Sequence, residues 1–221
     1  MGKICVHQRN NACLNENALF RSPLTMDQYL NARPIADPLR LYDCVMACSG
    51  ANAIVIGATD RVKKGKSVRV LSGFERHNHL PDQIVPLEGG WQTYKDKLWD
   101  TAGYGPHDMN LVNVYDDYPI IVAIQLEDLG FCSKGDVGQF LAANNLAYNG
   151  SFPINTGGGQ LSVGQAGMAG GLMLVTEAVC QLRQEAGSRQ VSNAKRAIAS
   201  GYGMVGYGHG LSTSAAVLEI K

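Results

Sequence analysis

The run from Pro153 to Gly171 limits what this 221-residue chain can fold into more than any other segment. Seven of the fifteen residues from Gly157 to Gly171 are glycine, and an apolar helical pattern follows without a break. Glycine permits φ > 0 and close backbone approach, at an entropic cost that a plain connector does not justify. An extended segment, a tight turn and a helix start leave unpaired N–H groups aimed at one point. That suits the floor of an active or anion-binding site. A helix crossing closely over a sheet also needs such a turn, so the pattern alone leaves both readings open. The loop is neither a P-loop nor a dinucleotide fingerprint, because no Gly-Lys-Ser/Thr ends it and Gly-x-Gly-x-x-Gly spacing is absent.

The 19 basic and 19 acidic residues cancel, so no general field favours nucleic acid or an anionic membrane. Charged residues make up only 17% of the chain, which fits a compact enzyme-like or oligomeric protein. The six cysteines are scattered; Cys44 and Cys48 are four apart with no second pair or histidine cluster to complete a zinc site. Reduced thiols in a cytoplasmic protein are the default expectation, and the sequon Asn149-Gly150-Ser151 then reads as chance. No run of about 18 apolar residues offers a membrane span.

Residues 1–46 read as an irregular, surface-hugging lead-in, and 47–221 as the folded domain. Asn10, Asn11, Asn15 and Asn17 cluster in the lead-in, and Ser22-Pro23, Arg33-Pro34 and Asp37-Pro38 interrupt any long helix. A short helix over 26–31 with Thr25 as cap is expected. Ala51 to Ile56 is a β-like apolar run, then a polar turn spans 59–66 and a second strand covers 68–71. His77 and His79 read as a surface loop without a third metal ligand. A helix over 91–102 puts Trp91, Tyr94, Leu98 and Trp99 near one face; a buried strand over 111–114 and a helix over 120–129 follow. The long helix of 168–186 carries Met168, Leu172, Val175, Val179 and Leu182 as a core stripe, with Cys180 among apolar neighbours. Strands over 194–199 and 214–220 close the chain as antiparallel neighbours around a Gly/Tyr loop at 201–210. Strands alternating with helices give an α/β layer structure.

With these elements placed, the chain resembles the C-terminal half of the thiolase superfamily, in the sterol-carrier-protein-x-like branch of lipid-transfer proteins and acetyl-CoA acetyltransferases. Leu39 to Ile56 is similar to that group's Pro-Leu, Asp-Cys, Asp-Gly-Ala lead into a strand, with Ser49-Gly50-Ala51 in the last place. Asn113-Val114-Tyr115-Asp116-Asp117-Tyr118 occupies the Asn-Glu-Ala-Phe site, which is His-Asp-Cys-Phe in the sterol-carrier branch. Asn155-Thr156-Gly157-Gly158 through Gly164-Gln165-Ala166 falls on Asn-x-x-Gly-Gly … Gly-His-Pro. Met204 to Gly210 falls on Cys-x-Gly-x-Gly-x-Gly. The resemblance implies a layered, mixed five-stranded sheet with helices on its faces.

It also implies chemistry on a coenzyme A thioester with no resident cofactor or metal. Thiolases use a nucleophilic cysteine from the first half of the fold, a histidine that activates it and a second cysteine as acid/base. That first half is not in this sequence. The histidine position holds Gln165 and the second cysteine position Met204, and neither side chain titrates near neutral pH. The site implied by the resemblance comprises Tyr115, Gln165 and the backbone N–H of Gly206 as catalytic groups. Asn155, Gly158, Met204 and His209 are its substrate contacts. Asp116 and Asp117 read most simply as a solvated turn or cap before the next helix. Relatives with altered residues act as retro-aldolases on acyl-CoA thioesters beside a small OB-fold/zinc-ribbon protein. Three readings follow: an acyltransferase- or retro-aldolase-type subunit completed by an N-terminal half or a homodimer partner, a non-catalytic lipid- or partner-binding protein, or an inactive relic.

Overall fold

The computed structural model describes residues 1–58, 60–62, 67–79, 87–203 and 211–221. Met204, Gly206 and His209, and most of the 59–66 turn, lie outside the described residues. Chain order begins with helices α1 (Gly2–Ala12) and α2 (Met26–Leu30), then strands β1 (Pro34–Ala36), β2 (Leu39–Arg40) and β3 (Val68–His79). Next come α3 (Trp91–Ala102), β4 (Leu111–Asn113), α4 (Pro119–Asp128), α5 (Val137–Ala143), α6 (Gly159–Val163) and α7 (Ala169–Leu182). Strands β5 (Arg196–Gly203) and β6 (Leu211–Ile220) finish it.

The main sheet runs β3-β6-β5-β4, with β4 parallel to β5 and the other pairs antiparallel. Period-2 side-chain alternation builds two cores from it. Val112, Ile198 and Val217 face α3 and α4, whereas Leu111, Ala197 and Leu218 face α7. The result is a three-layer α/β/α arrangement around a mixed sheet. Among the described residues four strands form it. The expected fifth is reduced to one parallel bridge, Ile154 on Val112, because the chain turns away at once into the glycine-rich segment.

Helix α3 buries Trp91, Tyr94, Leu98, Trp99 and Ala102, a single face at helical spacing, and ends on Gly103 in the left-handed region at φ 74°. Helix α2 is capped by Thr25, whose hydroxyl accepts from Gln28 N while Gln28 caps in return.

Four expectations are corrected. First, the lead-in is not irregular throughout, since α1 buries Ile4, Cys5, Gln8, Asn11 and Ala12. Its asparagines act as clamps rather than turn formers: Asn11 Nδ2 donates to Ile154 O (3.2 Å) and Asn15 Nδ2 to Gly157 O (2.8 Å). Second, residues 51–58 form no strand. Third, His77 and His79 belong to β3, a strand far longer than 68–71.

Fourth, α7 buries Gly170, Leu174, Ala178, Gln181 and Leu182 rather than the Met168–Val179 stripe. Small residues at 170 and 178 let the helix lie close to the sheet, and Met168 is left exposed. Cys180 is correspondingly only half-buried and lines a cleft instead of the core.

Candidate active site

Strand β4 delivers Tyr115 one residue beyond Val114, and two buried carboxamides hold both residues by their backbones. Asn155 accepts from Val114 N (2.8 Å) and donates to Val114 O (2.9 Å). Gln125, on α4, accepts from Tyr115 N (3.1 Å) and donates to Tyr115 O (2.7 Å). The same Gln125 Oε1 also accepts from Ser200 Oγ on β5 at 2.6 Å. Four main-chain groups at the end of a strand are thus satisfied by side chains, as buried polar groups require.

The glycine-rich segment brings the second group. Gln165 is fixed by its own backbone, donating to Met46 O (2.8 Å) and accepting from Cys48 N (3.0 Å). Its Nε2 donates to Tyr115 Oη at 3.1 Å. Tyr115 and Gln165 therefore meet across fifty residues of chain. Because the phenol oxygen accepts from the amide, its own proton is free to point elsewhere. Burial, and then the charge of Asp117, hold the Tyr115 phenol above its ordinary value, so it is a neutral donor at neutral pH.

Tyr202, near the end of β5, packs its ring 6.0 Å from that of Tyr115 and 5.7 Å from Trp91, the latter pair stacked at 20°. Burial and the neighbouring Asp117 and Tyr115 push its phenol up to about 12. Two protonated phenols thus stand side by side.

Asp116 is a further correction, being fully buried rather than a solvated turn residue. It accepts from Gln160 N (2.9 Å) and Leu161 N (3.3 Å), backbone donors in the first turn of α6. Gly159, at φ 61°, has to be glycine, since a Cβ there would collide with Asp116 Oδ2. Burial pushes the Asp116 carboxyl up to about 8, against the pull of those two donors. Between its ordinary value of 3.8 and about 8 the folded chain binds more protons than the unfolded one. Stability therefore falls as pH rises through that window, by at most about 1.4 kcal/mol per pH unit. Asp117 and Asp128 shift in the same direction. The comparison of wild type with Asp116→Asn isolates Asp116: thermal melts from pH 4 to 9 should be distinctly flatter for the variant.

The remaining sequence-derived positions divide as follows. Asn155 is buried with both ends of its amide committed to Val114, so it supports the Tyr115 strand end. Gly158, at φ 107°, lies against Ala12 of α1. Beside the tyrosine–glutamine pair runs a cleft of about 520 Å³ between residues 15–19, 48–52 and α7. Its wall passes through Gly164 and Ala166 on either side of Gln165, while Tyr115 and Gln165 lie just outside its lining. Gly170, near the start of α7, approaches the site closely; a Cβ there would lie 3.6 Å from Gln165 Cγ.

Sequence reasoning missed Gln125, Ser200 and Tyr202. A lone glutamine in the apolar helix 119–128 was the available signal for Gln125, because a buried amide needs partners. None of the cysteine thiols that burial shifts is activated: Cys5, Cys44, Cys132 and Cys180 are all pushed up, Cys132 to about 11. Among the described residues no group of three His, Cys, Asp or Glu could hold a metal ion, and no helix is long and apolar enough to cross a membrane.

The profile of the family "Thiolase C-terminal domain-like" matches residues 87–219. The chain is 36% identical over 195 residues to 17-hydroxy-3-oxo-4-pregnene-20-carboxyl-CoA lyase of Mycobacterium tuberculosis, covering 82% of this chain and 49% of that protein. It is 32% identical over 173 residues to the steroid side-chain-cleaving aldolase of Thermomonospora curvata, covering 72% and 44%. Among solved structures, the Ltp2-ChsH2(DUF35) aldolase superposes with a TM-score of 0.80 at 25% identity, over 99% of this chain and 57% of that one. The chain thus spans about half the length of the curated relatives it matches. The chain belongs to the thiolase superfamily, as a C-terminal-domain-like member of its sterol-carrier-protein-like branch.

Proposed function

We propose that this chain is the C-terminal half of an enzyme that breaks or forms a carbon–carbon bond in an acyl-CoA thioester by aldol chemistry. The observation that carries this reading is the Gln165 Nε2–Tyr115 Oη hydrogen bond at 3.1 Å. Where the thiolase pattern has a base, an amide instead donates to a phenol, which leaves the phenol's own proton available to another acceptor.

In the retro-aldol direction a base takes the proton of a β-hydroxyl group. The released electron pair closes a C=O bond, the Cα–Cβ bond breaks, and its electrons pass to the thioester as an enolate. Donors aimed at that enolate oxygen supply the main stabilisation. Tyr115 Oη is one such donor, and Gly206 N–H is assigned as the second. Cα is then protonated, leaving a ketone or aldehyde and a shorter acyl-CoA. No thiolate takes part, which agrees with Gln165 and Met204 at the positions of the thiolase acid/base pair.

Two relatives named a lyase and an aldolase support this class over acyl transfer. A first half of the fold and a small OB-fold/zinc-ribbon protein are assigned as the chain's partners; the solved Ltp2-ChsH2(DUF35) aldolase, whose name couples two components, supports a second protein. The test is turnover of a β-hydroxyacyl-CoA by the chain completed with a first half, read as ketone and shortened acyl-CoA. Ketone release without a CoA-thiol requirement supports the reading; thiol-dependent cleavage of a 3-oxoacyl-CoA overturns it.

By itself the 221-residue chain should show no thiolysis of acetoacetyl-CoA, and Gln165→His should not create any, since no nucleophilic thiolate is present. Thioester consumption followed by its absorbance checks both. Turnover by either form would overturn the mapping of Gln165.

A further inference from the structure

The retro-aldol step needs a group that takes the proton of the β-hydroxyl, and the residues placed around the Tyr115–Gln165 pair do not supply it. Gln165 has no proton equilibrium near neutral pH. Burial keeps both phenols protonated, Tyr115 above its ordinary value and Tyr202 up to about 12. Asp116 is fully buried, commits both carboxylate oxygens to amides of α6, and keeps its proton up to about 8.

Asp117 differs on each count. It lies where the chain passes from Tyr115 to α4, a place where a carboxylate ordinarily caps the helix. Helix α4 has no side-chain cap, however; Tyr118 is its N-cap and Pro119 opens it. Asp117 is half-buried, and its Oδ1 is shut away from water with no hydrogen-bond partner among the described residues. An oxygen buried in that way is costly to leave without a donor. The Asp117 charge acts on both Tyr115 and Tyr202, and on Tyr115 more than that of Asp116, which is nearer in sequence. The two rings stand 6.0 Å apart. An unpaired carboxylate oxygen is thus set beside two phenols that keep their protons. Burial outweighs the backbone N–H groups at 117 and 118 and raises the Asp117 carboxyl, which makes the carboxylate a stronger base than an exposed one.

We propose that Asp117 is the general base of the carbon–carbon cleavage, taking the proton of the substrate's β-hydroxyl on its unpaired Oδ1. The inference rests on the aldol reading above and names the group that starts the reaction. The hydroxyl proton passes to the carboxylate, and the O–H electron pair closes the C=O bond. The Cα–Cβ pair then moves into the thioester enolate, whose oxygen faces Tyr115 Oη. Asp117 gives its proton to water and Cα gains one from water, so the two products together have the composition of the substrate. An acyl-CoA without a β-hydroxyl offers Asp117 nothing to act on.

The test uses the chain completed with the half of the Mycobacterium tuberculosis lyase that it does not match, acting on a β-hydroxyacyl-CoA. Asp117→Asn keeps the shape of the side chain and should lower kcat by roughly 10²–10⁴. The melting temperature of the chain, and the Kd of the acyl-CoA that lacks the hydroxyl, should not move. In the unsubstituted enzyme kcat/KM should fall on the acid side as Asp117 takes up its proton. That limb should persist in Asp116→Asn and vanish in Asp117→Asn. Formate, a small carboxylate, should raise the rate of Asp117→Ala at least about tenfold by standing in for the missing group. Activity of Asp117→Asn within about threefold of the unsubstituted enzyme, an acid limb that survives in it, or no rescue by formate overturns Asp117 as the base and leaves the aldol reading standing. If the unsubstituted enzyme does not cleave the β-hydroxyacyl-CoA, both fall.

Discussion

Tyr115→Phe is expected to lower turnover of the completed enzyme by roughly 10²–10⁴ while leaving the stability of the chain nearly unchanged. The substitution removes one hydroxyl. The ring keeps its place beside Tyr202, and the backbone at 115 is held by Gln125 whatever side chain it bears. Gln165 loses an acceptor but is half-exposed, so water replaces it. If the phenol donates to the enolate oxygen, the loss falls on kcat, because that charge is absent from the bound substrate and develops only on the way to the enolate. If the phenol merely binds the thioester, KM rises and kcat holds. A change in kcat/KM below about threefold would identify Tyr115 as packing and move the weight to the reading of a non-catalytic, lipid- or partner-binding protein.

Trp91→Ala should cost about 3–5 kcal/mol, the range for removing a fully buried large aromatic. That is a large share of the 5–15 kcal/mol that typically holds a domain together. Trp91 is completely buried at the start of α3, its Nε1 donates to Ser214 O on β6 (3.0 Å), and its ring stacks on Tyr202. Alanine therefore opens a cavity, orphans a carbonyl and removes the wall that sets Tyr202 against Tyr115. Trp91→Phe keeps the stack and should cost distinctly less. Urea midpoints followed by circular dichroism give both values. Equal losses for the two variants would show that the hydrogen bond to Ser214, rather than the ring, carries the effect.

What the sequence revealed follows from where each element finds its partners. Helix α3 was legible because its apolar face and its glycine stop both lie within thirteen residues. Strands β5 and β6 were legible as antiparallel neighbours because their apolar stretches, Ala197–Ala199 and Ala215–Leu218, lie on either side of a Gly/Tyr-rich stretch. The meeting of Tyr115 with Gln165 was legible only through motif order, since nothing local ties residues fifty apart. Helix α1 was illegible because its buried face carries Gln8 and Asn11, and Asn11 is satisfied by distant backbone at 148 and 154. The face of α7 was misjudged because the helix is apolar nearly all round, and two small residues, not the larger apolar ones, decide which side meets the sheet. Asp116 read as solvated because its partners, the amides of α6, come more than forty residues later.

The two carboxamides at the end of β4 have an evolutionary consequence. Asn155 and Gln125 grip main-chain atoms of Val114 and Tyr115, and main-chain atoms are common to every amino acid. The scaffold is therefore indifferent to which side chain occupies position 115. One reactive group can therefore be exchanged for another at position 115 without rebuilding the support. In such an arrangement new chemistry is reached by single substitutions, and selection can try phenol, amide or imidazole at one place while the fold registers no difference.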